Sequence, residues 1–404
     1  MAWFIVIVVI GVVGFFGVRF VLRQRYIGEL TARGWTFVEH PDISVAQGLN
    51  NPPFGHGFQR WVDDQVVGRS SSGSSFQAFR YGSSDRTEPG YVVAMRLDRS
   101  LPEFYVFPAE RRRSYIQGVV VADAPFLVVS EDAEYGRCIN SAIAAPLMTM
   151  AASYPVDLSI DHDQLVALGA DRNPAQLAGF VEALDRVRAA LQSTDLSRWS
   201  GEQPPAHLSF YRRPHWHYRP RDDSFLDHVA HTHGGKNHQA RDVVTSDNYG
   251  LPFIALVHYW ETESTSTDSN GHTSTTTHRH EEPILEFRVP FPFRPIALDT
   301  GRGPRVLFES EAFNRAHKVR SSVARFASDV FHPRQLEYVL RTRPYPFEVL
   351  PDGRLVVQPP ATTPDVLDFM CAFLQGFFAR IPDFTYRELG AWPRPIPEVS
   401  DYNS

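Results

Sequence analysis

The chain contains only two cysteines, Cys138 and Cys371, far apart and without a CxxC spacing. A disulfide framework and a cysteine-rich zinc site are both excluded, and the usage fits a reducing compartment. Positive charge is in short supply. Forty Lys and Arg stand against forty-six Asp and Glu, a net charge of -6, so no nucleic-acid partner is expected. Local catalytic signatures are missing too. There is no GxSxG elbow, GxxxxGK[ST] phosphate loop, GxGxxG fingerprint or HExxH helix, so no enzyme is indicated. What is present is a 404-residue chain, 43% hydrophobic and 13% aromatic, long enough for two or three folded units.

The first eighteen residues, MAWFIVIVVIGVVGFFGV, carry no charge. About 20–22 helical residues would cross a roughly 30 Å hydrocarbon layer. No basic residue precedes the run and bulky Arg19-Phe20-Val21-Leu22 follows it, a pattern unlike a cleaved signal peptide. The run therefore predicts a transmembrane helix over 1–25, flanked by Arg19, Arg23 and Arg25. By the positive-inside rule the protein is then single-pass in the inner (plasma) membrane, with its N-terminus outside and its body cytoplasmic. Membrane lipid is an expected partner through residues 1–25.

The remainder matches itself. Gly34-Trp35-Thr36-Phe37 answers His215-Trp216-His217-Tyr218, and Val66-Val67 answers Val243-Val244. Phe76-Gln77-Ala78-Phe79 answers Phe253-Ile254-Ala255-Leu256, and Met95-Arg96-Leu97 answers Phe287-Arg288-Val289. EDAEYGR at 131–137 answers ESEAFNR at 309–315. Asn173-Pro174 and Thr363-Pro364 each place a capping residue before a first-turn proline, which predicts a closing helix in each copy. Residues 76–81 and 91–97 read as a hairpin, as do 251–260 and 283–289, the second with a long projecting turn that contains Asn270-Gly271. Short helices are predicted near Pro146 to Ala152 and Pro333 to Leu340. The expected fold class is α+β: an N-terminal transmembrane helix followed by two tandem, duplicated antiparallel-sheet-plus-helix domains. Repeat 1 is expected over 26–193, a linker over 194–206, repeat 2 over 207–385 and a flexible tail over 386–404.

The runs EAFNRAHKV and ARFASDVFHPRQLEYVL, clearest over 309–340, join an acidic residue, Phe-Asn, a basic strand, Phe-Ala and a proline before an apolar helix. This pattern resembles a family of uncharacterised bacterial single-span membrane proteins, a domain of unknown function. The resemblance implies a membrane-anchored protein and carries over no catalytic residues.

Histidine is the one enriched chemical group, because eleven of the sixteen fall between His207 and His280. Imidazole is a common ligand for zinc, copper and nickel, which makes His228, His231, His233 and His238 candidate metal ligands. No Cys joins them, and polar loop histidines are the simpler reading. Asp161-His162-Asp163 pairs acid with base but aligns with the turn Pro351-Asp352-Gly353, so it reads as a turn. Asp63-Asp64 and Asp222-Asp223 read as surface pairs, and ERRRSYIQG at 110–118 as a solvated basic loop. Phe291, Phe293, Arg294 and Trp61 could stack on bases but read as core and sheet edge. The leading expectation is a membrane-anchored cytoplasmic interaction or scaffolding protein with an unidentified protein partner and no resident cofactor. The alternatives are a metal-responsive histidine-rich binding protein, which would take a transition metal, and an enzyme whose active site assembles from distant residues.

Overall fold

The computed structural model describes residues 18–84, 91–111, 116–230, 233–267 and 273–396. The chain divides into two compact units, 1–214 and 215–404.

The expected membrane span is corrected first. Among the described residues no helix is long and apolar enough to cross a membrane. The transmembrane helix over 1–25, the single-pass inner-membrane location and the membrane anchor are therefore not upheld. Residues 1–17, which hold most of the apolar run, lie outside the described residues. The helix that is described, α1 (residues 18–31), carries Arg19, Arg23, Arg25 and Glu29 within four turns. Arg23 pairs with Glu39 and Arg25 with Glu29 at 3.0 Å. Tyr26 and Leu30 pack against the first unit's core, so the end of this helix is held by protein.

The first unit is built on β1 (Thr36–Val38), β2 (Trp61–Arg69), β3 (Ser75–Gly82), β4 (Tyr91–Arg96), β5 (Phe104–Phe107), β6 (Val119–Ala122), β7 (Leu127–Ser130), β8 (Leu158–Asp161) and β9 (Gln164–Ala170). They form one sheet in the order β1-β2-β3-β4-β9-β8-β5-β7-β6, antiparallel at each pairing. Two helices, α2 (Ala133–Ala151) and α3 (Pro174–Gln192), close its core through Tyr135, Ile139, Ile143 and Leu147 and through Leu177, Phe180, Leu184 and Leu191. Asp132 caps α2 by accepting from the N–H groups of Glu134 and Tyr135, and the helix runs on through Pro146. It therefore starts thirteen residues before the proline that was expected to open it. Asn173 caps α3 through two backbone N–H groups ahead of Pro174, as its sequence predicts.

After β10 (Leu208–Phe210), the second unit uses β11 (Arg213–Arg221), β12 (Lys236–Ser246), β13 (Phe253–Thr267), β14 (Thr273–Arg288), β15 (Ile296–Leu298), β16 (Arg305–Val306), β17 (Val319–Arg320), β18 (Phe347–Val349) and β19 (Arg354–Val357). Their order is β11-β12-β13-β14-β19-β18-β15-β17-β16, which is the first unit's order with ten added to each label. The register agrees as well. Ala78 pairs with Val66 and Val93, and Ala255 pairs with Val244 and Leu285. Val66 thus corresponds to Val244, one residue away from the sequence alignment, and each copy carries a bulge just before this valine. At those bulges Asp64 and Asp242 have φ of 52° and 51° and both side chains are buried. Asp64 is therefore a buried group, not half of a surface pair.

The helices differ more than the strands. EDAEYGR opens α2 after β7, whereas ESEAFNR opens α4 (Glu311–Ala316) between β16 and β17, so these two segments are not equivalent. α5 (Ala324–Val330) and α6 (Pro333–Thr342) stand where the first copy has α2, and α7 (Pro364–Ala379) follows β19 as α3 follows β9. Where a long turn was expected, the β13–β14 ladder runs from Phe253↔Phe287 to Thr267↔Thr273. Asn270-Gly271 lies outside the described residues. A last helix, α8 (Asp383–Glu388), buries Tyr386 against Phe291 in a segment expected to be a loose tail.

Candidate functional site

A polar cavity of about 410 Å³ opens in the first unit around the β8–β9 turn and is lined by Asn50, Asn51, Glu103, Glu131, His162, Glu202 and Arg212, among others. The turn itself has two residues, since Asp161 pairs with Gln164. His162 sits there at φ 55°, a left-handed conformation costly for a residue with a side chain. Asp161 is wholly buried. Its Oδ2 accepts the backbone N–H groups of Asn50 and Asn51 at 2.9 and 2.8 Å, and its Oδ1 lies 2.7 Å from His162 Nδ1. With that nitrogen given to Asp161, the other ring nitrogen of His162 is the one left for the cavity. Burial works against charge on both groups. For Asp161 it prevails over the His162 and backbone hydrogen bonds and pushes the carboxyl up. For His162 burial is outweighed by the Asp161 hydrogen bond and charge, with help from Glu103 and Glu202, and its pKa is raised above 6.5.

Glu103 stands at the start of the neighbouring strand. Its Oε2 accepts from Tyr211 Oη at 3.0 Å and Tyr105 Oη at 3.2 Å. Burial raises its pKa in spite of both phenols and the nearby Arg212. Arg212 donates to Gln117 at 2.7 Å and lies over the Tyr211 ring.

Two glycines bring the walls together. A Cβ on Gly55 would fall 1.9 Å from the Asn50 carbonyl and 2.4 Å from Tyr211 N, so only glycine lets Tyr211 N–H donate to Gly55 at 3.0 Å. A Cβ on Gly201 would fall 2.2 Å from the Leu101 carbonyl. Gly201 N–H donates to Ser100, Leu196 is buried in the core, and Trp199 packs against it. The stretch expected to be a linker is thus a wall of the cavity. Asn50 is only 4% exposed, yet its Oδ1 has no hydrogen-bond partner.

A larger hollow of about 1030 Å³ runs along α1, lined by Arg23, Arg25 and Arg172 among others. These three arginines are already matched, by Glu39, Glu29 and Asp64.

No family model and no curated protein matches the chain. The crystal structure of the mycobacterial trehalose monomycolate transport factor A, TtfA, is similar over 42% of this chain and 93% of its own length, at 12% identity and a TM-score of 0.34. A likeness that shallow carries no argument.

Of the histidines expected to hold metal, His233 and His238 both lie beside His258, with ring centroids 5.9 and 5.1 Å from it, while His228 stands with Phe225. His228 packs on Phe225, His233 stacks on Trp260 at 4.1 Å and meets Glu282 at 2.6 Å, and His238 Nδ1 lies 2.9 Å from His258 Nε2. His231 lies outside the described residues. Among the described residues no group of three or more His, Cys, Asp or Glu side chains is arranged to hold a metal ion. Phe291 and Phe293 are buried against Phe378, and Trp61 lies under Arg80 at the sheet face. Asp222 caps a short 3-10 turn, and Asp223 pairs with Arg221.

The cavity's residues were missed because the pair Asp161-His162 looks like a turn and is one. Two signals were available. A histidine occupied a corner where glycine or asparagine is usual, and the run Gly48-Leu-Asn-Asn-Pro-Pro-Phe-Gly-His-Gly57 was too rich in glycine and asparagine for a plain connection.

Proposed function

We propose that the chain is a binding protein whose first unit takes up a small polar ligand in the cavity around His162. The observation that carries this reading is the cavity of about 410 Å³ itself, lined by the polar residues Asn50, Asn51, Glu103, Glu131, His162, Glu202 and Arg212. Its volume is in the size range of small-molecule sites. Binding is favoured over chemistry because the two buried acids are already held by hydrogen bonds within the protein. Asp161 serves two N–H groups and His162, while Glu103 serves two phenols. This narrows the interaction module expected from the sequence to a recognition site with named residues.

The test is a screen of small polar compounds against the full chain. It would be read by thermal shift and by the ring resonances of His162, assigned with His162→Gln. Compounds that raise the melting temperature and move the His162 signals support the reading. A broad screen in which no compound of any charge moves them overturns it.

A further inference from the structure

The second unit holds two histidines whose contact depends on their protonation. His238 Nδ1 lies 2.9 Å from His258 Nε2, and His258 has no exposed surface. We infer that this pair is a pH-sensitive latch, closed at neutral pH and opened by acidification, that keeps the 223–230 segment seated on one face of β12–β14. The inference concerns the second unit and stands apart from the binding role of the first.

A neutral imidazole offers one donor and one acceptor, and an imidazolium two donors. The bond between the rings therefore needs at least one of them neutral. A second proton would set two N–H groups against each other and place two positive charges in contact, one on a wholly buried ring, where repulsion is screened less than in water. The carboxylates on this face are engaged elsewhere. Glu282, opposite His258 in the ladder, meets His233 Nε2 at 2.6 Å, and Glu286 accepts from Ala230 N–H at 2.7 Å. His280, opposite Trp260, adds another titrating ring, with its Nε2 2.8 Å from Thr262 Oγ1. From the 3-10 turn Asp223 accepts from Ala240 N–H, and from β11 Arg219 lies over the Phe225 ring. The open form thus binds more protons than the closed one, so the closed form loses stability as pH falls. Little else resists opening, since Leu226 and Val229 pack only into a small cluster with Ala240, Val243, Leu256 and Ile284.

The first copy supplies the comparison. Ala78 and Ala255 are matched by register, and three residues beyond them stand Tyr81 and His258, both buried. Tyr81 Oη donates to the Phe54 carbonyl at 2.8 Å. A phenol takes up no proton between pH 5 and pH 8, whereas imidazole titrates at about pH 6.5. At the same place in the sheet, one copy carries a fixed tie and the other a titrating one.

Hydrogen exchange of the full chain at pH 7.5 and pH 5.5, corrected for intrinsic rates and run with EDTA so that only protons vary, tests this. Protection of 223–230 is expected to fall by about tenfold or more at the lower pH, the change one linked proton gives per pH unit. Residues 43–49, which cover the corresponding face in the first copy through Val45 and Gln77, should show no such loss. In His238→Gln the amide can donate to or accept from His258 in either protonation state, so the loss should shrink to less than about twofold. Should that variant melt well below the wild type at pH 7.5, His258→Gln is measured in its place. Unchanged protection in the wild type at pH 5.5 overturns the latch. An equal loss in the wild type and the glutamine variant also overturns it, because the titrating group would then lie outside the pair.

Discussion

His162 shows how one residue joins strain, charge and burial. It holds a positive φ in a two-residue turn, and its imidazole is fixed by a carboxylate with no exposure. Because the folded state raises its pKa above the unfolded 6.5, its contribution to stability is fully present below about pH 6.5 and fades as pH rises through the folded value. Glu103, raised above 4.5 by burial, has the same sign, its contribution fading as pH rises from about 4.5. The stability difference between the wild type and His162→Gln should therefore shrink between pH 6 and pH 9. Melting temperatures of the two proteins over that range check this, and a difference that grows with pH would refute it. Asn50, Asn51 and Glu103 could not be joined to His162 from the sequence, because nothing local relates a loop near position 50 to a turn 111 residues away.

At the scale of single elements, the β13–β14 hairpin is the clearest case of a correctly placed feature with an unexpected form. Asn270-Gly271 marked a turn, but the Ser and Thr residues around it form a paired ladder with Thr265, Ser266 and Thr267 facing Thr275, Ser274 and Thr273. β-Branched threonine suits a strand even when both faces are wet. Side chains from Glu263 outward are exposed on β13, and each cross-strand pair contributes only about 0.2–1 kcal/mol, roughly offset by the entropy of ordering the arm. Deleting residues 264–276 and joining Glu263 to Thr277 through Asn-Gly should leave the melting temperature within about 2 °C. Circular dichroism melting tests this, and a fall of more than about 5 °C would show that the arm supports the second unit.

Across the whole molecule the duplication has an energetic counterpart. Trp35 meets Phe76 edge-on at 5.0 Å and 79°, and Trp216 meets Phe253 at 5.6 Å and 83°. In each copy the phenylalanine lies on the third strand of the shared order and is nearly fully buried. Phe76→Leu and Phe253→Leu should each cost their own unit about 1–2 kcal/mol, combining lost volume and the lost aromatic contact. Hydrogen exchange should show the loss in β2–β4 for the first and in β12–β14 for the second. A variant without effect would mean that its copy does not use this pair.

The sequence by itself determined the two closing helices, through a first-turn proline and an apolar face in each and the Asn173 cap in the first, whereas Thr363 makes no side-chain cap hydrogen bond, and the paired strands whose matching residues revealed the repeat. These are local signals, carried by side-chain spacing and capping chemistry within a few turns of chain. Only the tertiary structure decided that Asp64 and Asp242 are buried at bulges, that 131–137 and 309–315 stand at different places in the strand order, and that α1 ends against a protein core. The cavity belongs to the same group. Its wall is made where the 48–57 loop, the start of β5, the β8–β9 turn and the 196–202 strap converge. That convergence depends on glycines that allow backbone contact and on a buried carboxylate that ties distant N–H groups together.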